Sequence, residues 1–215
     1  MQIPRIQLSC LAAQACLTLA ACGATPAPAP SGPTNVGPGH VDAQLARGAS
    51  TYQGVRKIKL RIRPDGAVEK FAVYHGEAAA VPEPVKALAT ARFPDAVVSH
   101  YEHERYADLG EVHEVEVRLK DGRACEISAT PAGALVYEEC ELPVAEIPAP
   151  VKAAIDARLP GGKVVEIETK KGPTMDELSL EVEHEGKLHY LRLRPDGGLI
   201  AHFHRVPAEI DVPVP

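Results

Sequence analysis

The chain contains no tryptophan and only two methionines, and aromatic residues make up 4 % of its 215 positions. Large rings bury the most area per residue, so this core must be assembled from Val, Ala and Leu in small increments. Apolar residues reach 45 %, enough for one large or two small domains whose stability is spread over many contacts. The scarcity of aromatics also removes the usual anchors of a tight protein interface. An excess of positive charge is missing too. The net charge of −6 argues against nucleic acid as a partner, because phosphate binding needs a basic surface. This acidity is mild and fits ordinary solubility. No G-x-S-x-G, H-E-x-x-H or phosphate-cradling glycine loop is present, and no Cys-x-x-Cys supports redox catalysis. The expectation is a protein that is not an enzyme, although a catalytic set assembled across strands would escape such a search.

Long apolar runs are also lacking, with one exception at the N-terminus. There, one basic residue, Arg5, precedes an apolar run from Ile6 to Ala21, which is a secretory signal pattern and too short for a membrane span. The run ends in Leu19-Ala20-Ala21-Cys22, which resembles a bacterial lipobox whose Cys is acylated and becomes the mature N-terminus. A plain signal peptide cleaved after a small residue is the alternative. We therefore expect residues 1–21 to be a lipoprotein signal, with Cys22 as the lipidation site and a membrane attachment through the acyl chains. Gly23 in place of Asp after the Cys resembles the outer-membrane sorting default, which implies an outer-membrane lipoprotein facing the periplasm. Residues 22–40 are rich in Pro, Ala and Gly, cannot bury enough surface to fold, and read as a semi-extended tether.

The remaining chain repeats itself. Val81–Pro94 (VPEPVKALATARFP) and Ile147–Pro160 (IPAPVKAAIDARLP) share a PxPVKAxxxARxP frame, and RPDG occurs at Arg63–Gly66 and again at Arg194–Gly197, with TPAG at Thr130–Gly133 between them. In the first frame Val81, Val85, Leu88, Ala89 and Phe93 fall on one helical stripe; in the second Ile147, Val151, Ala154, Ile155 and Leu159 do the same. Prolines at the front suit a first helical turn, and Pro94 and Pro160 stop the helix. Alternating segments follow, such as VHEVEVRL with Val115, Val117 and Leu119 on one face, and LSLEVEH with Leu178, Leu180 and Val182. Asp121-Gly122 and Glu185-Gly186 fit hairpin turns. The predicted fold class is α+β: tandem repeats of one helix plus about four antiparallel strands, forming a curved sheet with helices on one face. The expected divisions are 41–80, a partial leading repeat ending in a β-hairpin; 81–142, a first repeat; and 143–215, a second repeat with a C-terminal tail.

The frame, with its D/E-G and P-x-G turns, resembles tandem PepSY-like repeats and is similar to the beta-lactamase inhibitory protein fold. The resemblance covers about residues 55–206. It implies a secreted or periplasmic protein that binds or restrains another protein.

Three groups of residues are candidates for a site. With the signal removed and Cys22 lipidated, Cys125 and Cys140 remain in an oxidising compartment. They sit opposite one another about the Thr130–Gly133 turn, so a cross-strand disulfide is expected; free thiols for redox or metal binding are the alternative. The sequence offset between the second and third Pro-x-Gly turns carries Cys125 to His189 and Cys140 to His204, and alternation puts His202 on the face of His204. Three imidazoles would suit Zn²⁺ or Cu²⁺, against a reading as surface histidines. His100, His103 and His113, with Glu102, Glu104 and Glu111, could ligate a cation or sense pH, but alternation splits them between two faces and a solvated strand face is the simpler reading.

The expected function is therefore a non-enzymatic envelope lipoprotein that binds, or inhibits, a protein or peptide partner through a curved antiparallel sheet, with no cofactor and no nucleic acid. The alternative is a His-based divalent-metal binding or sensing protein of the periplasm, with Zn or Cu at His189, His202 and His204.

Overall fold

A computed structural model describes residues 54–208. The signal, the lipidation site Cys22 and the tether lie outside the described residues. No helix among the described residues is long and apolar enough to cross a membrane.

Ten strands form one antiparallel sheet in which every strand pairs with its neighbours in sequence. They are β1 (Lys57–Ile62), β2 (Val68–His75), β3 (Val97–Tyr106), β4 (Gly110–Arg118), β5 (Ala124–Ala129), β6 (Leu135–Glu141), β7 (Lys163–Gly172), β8 (Met175–His184), β9 (Lys187–Leu193) and β10 (Leu199–Arg205). Helix α1 (Glu83–Arg92) lies between β2 and β3 in the chain, and α2 (Ala149–Arg158) between β6 and β7.

This corrects the predicted α+β class of helix-plus-four-strand repeats. The organising element is the single ten-stranded sheet, and the α-helices are two ten-residue segments. The sheet is continuous past residue 142, with β6 hydrogen-bonded to β7 from Glu138 opposite Lys171 to Glu141 opposite Glu168. The physical reason is the cost of a free edge. A terminal β6 would present unpaired N–H and C=O groups, and pairing it with β7 removes them. Periodicity reads which positions are half-buried, but it carries no information on which strands become neighbours.

Each helix starts at prolines, which need no N–H partner in the first turn, and runs out just before Pro94 or Pro160. The buried stripe of α1, Val85 and Ala89 with Val81 before it, packs on Val115, Val117, Cys125, Ile127 and Ala129 of β4 and β5. That of α2, Val151 and Ile155 with Leu159 after it, packs on Ile167, Leu178, Leu180, Val182, Leu191 and Leu193 of β7, β8 and β9. The recurring Pro-x-Gly turn has a packing role here. Gly133 has φ +82° and Gly197 φ +84°, and a Cβ at either would strike Pro84 in α1 or the Pro150 carbonyl in α2. Only glycine combines that backbone with so close a helix.

The disulfide Cys125–Cys140 closes β5 against β6, where the two residues are direct register partners. Replacing both by Ala removes a short cross-linked loop, so the predicted loss is at most about 3 kcal/mol, read as a lower urea midpoint. Ile127→Ala empties a fully buried position under α1 and is expected to cost more, in the range of about 2–5 kcal/mol.

A candidate binding trough on the concave face of the sheet

Side chains alternate between the two faces of every strand. The face opposite the helices carries Lys57, Lys59 and Arg61 of β1, Lys70 and Tyr74 of β2, and Glu102 and Glu104 of β3. It continues through Glu114, Glu126, Tyr137, Glu139 and Lys170 to Glu181, Tyr190 and Arg192 on β8 and β9, as the register pairs require. A flat sheet with strands about 4.8 Å apart would hold β1 and β9 about 38 Å from each other. Instead the Arg61 guanidinium lies 4.7 Å from the centre of the Tyr190 ring and 5.4 Å from that of Phe203, and Arg192 lies 3.9 Å from Glu69. The sheet is curled until its two ends meet through side chains, and this polar face becomes an interior. Strong twist of open sheets is ordinary; a charged interior is not.

At its buried end the interior is a connected network. Lys70 pairs with Glu104, which is fully buried. Tyr137 donates to Glu114, as does Ser128, and lies 2.8 Å from the Tyr106 hydroxyl. Lys170 donates to Glu139 at 2.9 Å and sits over the Tyr137 ring, 3.4 Å from its centre. Ser179 donates to the other Glu139 oxygen at 2.6 Å. Arg192 makes a bidentate pair with Glu177, at 2.8 and 3.0 Å through one of its nitrogens. Buried charges persist only when paired in this way.

The carboxyls outnumber their partners, and their proton affinities separate. Burial, with the Glu114 carboxylate next, pushes Glu104 up to about 8 against the opposing pull of Lys70. For Glu114 burial acts in the same direction, but Lys70, Lys170 and the Ser128 and Tyr137 hydroxyls outweigh it and hold the group at about 2. The donated hydrogen bonds thus assign the ionised form to Glu114, and the shared proton of the pair to Glu104. Glu126 and Glu168 stand well above the usual carboxylate range through burial and the carboxylates around them, and Glu166 is raised for the same reasons.

Towards the open end lies a cavity of about 130 Å³. Eight glutamates line it, against five Lys or Arg. Among the described residues, the Glu126, Glu166 and Glu168 side chains have no hydrogen-bond or ion-pair partner. Glu102, itself 2 % exposed, keeps Oε2 buried without a partner while His100 Nε2 lies 3.3 Å from its Oε1. Groups of carboxylates here lie close enough to share a cation: Glu114, Glu126 and Glu139 form one, and Glu102 and Glu126 with His100 another.

The sequence-predicted residues fall as follows. His100, Glu102 and Glu104 point into this trough, and His103, Glu111 and His113 lie together on the helix-bearing face. His189 Nδ1 and His202 Nε2 approach to 3.0 Å on that same face, and His204 is the register partner of His189. Burial holds His189 and His202 below the ordinary imidazole value, helped by neighbouring histidines. Sequence reasoning missed Lys70, Glu114, Tyr137, Glu139 and Lys170. Their one signal was a polar or charged residue at alternate positions in consecutive strands, a pattern that a solvent-facing sheet produces equally well.

No family model matches the chain, and no curated protein does. Solved structures similar to it include a BLIP-like protein of Bacteroides fragilis (19 % identity, 60 % of this chain and 89 % of that one, TM-score 0.47). A DUF2874 family protein of Bacteroides uniformis is similar at 18 % identity over 58 % of this chain and 89 % of that one, with a TM-score of 0.46. A Bacteroides eggerthii protein provisionally assigned to the periplasm is similar at 15 % identity over 58 % and 88 %, with a TM-score of 0.49.

The raised carboxyls give stability a pH dependence of defined sign. A group raised in the folded state stabilises fully below its unfolded value, and that contribution is lost as pH rises through the folded value, here about 8 for Glu104. Glu114 acts oppositely, and its contribution is lost only as pH falls towards about 2. The urea midpoint is therefore expected to fall between about pH 5 and pH 9, and Glu126→Gln, which removes one of the raised groups, should flatten that fall.

Proposed function

We propose that the protein is a non-enzymatic binding protein of the cell envelope whose concave trough receives a cationic group of a protein or peptide partner. The observation that carries this reading is the surplus of carboxylate at the cavity: Glu126, Glu166 and Glu168 stand without partners beside Glu102, whose Oε2 is buried and unpaired. Leaving a buried acceptor unsatisfied costs about 1–3 kcal/mol, and more for a charged one. A Lys or Arg side chain inserted at the mouth would recover that cost and relieve the mutual repulsion that raises these groups. Lys57 and Lys59, on β1, then form the opposite wall and disfavour acidic ligands at the same entrance. Placement in the envelope rests on the secretory pattern of residues 1–21 and the lipobox-like Leu19–Cys22. Attachment through lipid on Cys22 would put the trough in reach of other envelope proteins.

The test is binding of fluorescent peptides to a soluble chain beginning at residue 41. A Lys/Arg-rich peptide is expected to bind and an Asp/Glu-rich peptide of equal length is not. Glu126→Gln with Glu168→Gln should weaken the basic peptide by about tenfold or more, and added salt should weaken it further. Equal binding of both peptides, or no change in the double variant, would contradict the proposal.

A further inference from the structure

On the opposite face of the sheet, we propose that His103, Glu111 and His113 form a binding site for a first-row transition-metal dication of the Zn²⁺ type. His103 on β3 and His113 on β4 are direct register partners, and Glu111 lies two residues before His113, on the same face. The imidazole rings stack with centres 4.7 Å apart and planes 6° from parallel. Both present Nε2 to one oxygen, Glu111 Oε1, at 3.0 Å from His103 and 3.3 Å from His113. All three ligand atoms lie within 4.8 Å of one another. In a tetrahedral zinc site with bonds of about 2.0–2.1 Å, ligand atoms stand about 3.3 Å apart. The nitrogen–oxygen spacings seen here already have that size, and rotation of one imidazole out of the stack would turn both Nε2 lone pairs onto a shared cation.

The surroundings favour a metal site of this kind. Val73 is the register neighbour of His103 and Ala129 that of His113, and both are fully buried. These small apolar residues flank the two histidines along the helix-bearing face. Glu111 is half exposed, so the fourth coordination position opens to solvent or to a partner's side chain. Two imidazole nitrogens and one carboxylate oxygen select Zn²⁺ or a neighbouring transition ion over Ca²⁺ and Mg²⁺, which prefer oxygen alone. Among the described residues, no carboxylate joins the His189–His202 contact to make a group of three. The inference is independent of the trough reading, since it uses residues of the other face.

Zn²⁺ titration of the full chain against a chromophoric chelator, with Co²⁺ absorption reporting coordination geometry, tests it. One Zn²⁺ per chain is expected, with tetrahedral-type Co²⁺ bands, and excess Ca²⁺ should not displace the metal. Glu111→Gln changes an exposed side chain and keeps the fold; it should lower the affinity by about tenfold or more, and His103→Asn by at least as much. His202→Asn should change nothing. Unaltered affinity in Glu111→Gln, or a loss confined to His202→Asn, would overturn the assignment.

Discussion

Lys70 on β2 reaches Glu104 on the neighbouring strand β3, beside Glu114, Tyr137 and Ser128, and the Tyr137 hydroxyl of β6 lies 2.8 Å from that of Tyr106 on β3. The rest of the structure depends on this contact and its counterpart, Lys170 with Glu139 and Ser179. A ten-stranded sheet of this kind has two faces to bury. One is covered by the helices through Val, Leu and Ile. The other has no cover except itself, and with aromatics at 4 % of the chain it has few large apolar groups to fill the space. Curling the sheet solves the same problem with polar groups: Arg61 over Tyr190 and Arg192 beside Glu69 join its ends, and buried pairs such as Lys170–Glu139 tie neighbouring strands. The solution is conditional: such pairs are neutral or better while complete and strongly destabilising when one member is lost.

The two faces therefore have different physics. The helix side is held by dispersion and area, spread over small side chains, and tolerates conservative change. The trough side is held by partner-matching, in which each carboxyl is paired, protonated or left waiting. Glu114 is paired, Glu104 keeps a proton, and Glu126, Glu166 and Glu168 wait. Burial and neighbouring carboxylates raise all three of this last group, of which Glu166 is exposed to solvent.

Local features were legible in the sequence. The helix stripes, the hairpin turns and the partnership of Cys125 with Cys140 all follow from short-range period and turn chemistry, and the register places those two cysteines opposite one another. Two things were not legible. A curved sheet joining the repeats was expected, but which strands carry the join, β6 with β7, depends on which edges meet and is not written in either segment. The inward charges of β4, β6 and β7 carry the same alternation as a wet surface, and only the curvature, seen in Arg61 meeting Tyr190, turns them inward. The His100–Glu116 stretch shows both limits at once. Alternation correctly separates His103 from His100 and Glu102, but the turn at Gly110 brings His103 to His113 and Glu111, a regrouping that periodicity within a single strand conceals.

The central claim is that the concave face is a charged interior whose carboxyls hold very different proton affinities. It is tested most directly by following the side-chain carboxyl ¹³C resonances of the glutamates across a pH titration. The account predicts Glu114 ionised down to about pH 2 and Glu104 protonated until about pH 8. A set of glutamates that all titrate together, near the ordinary value of about 4.3, would show the face to be open to water and contradict it.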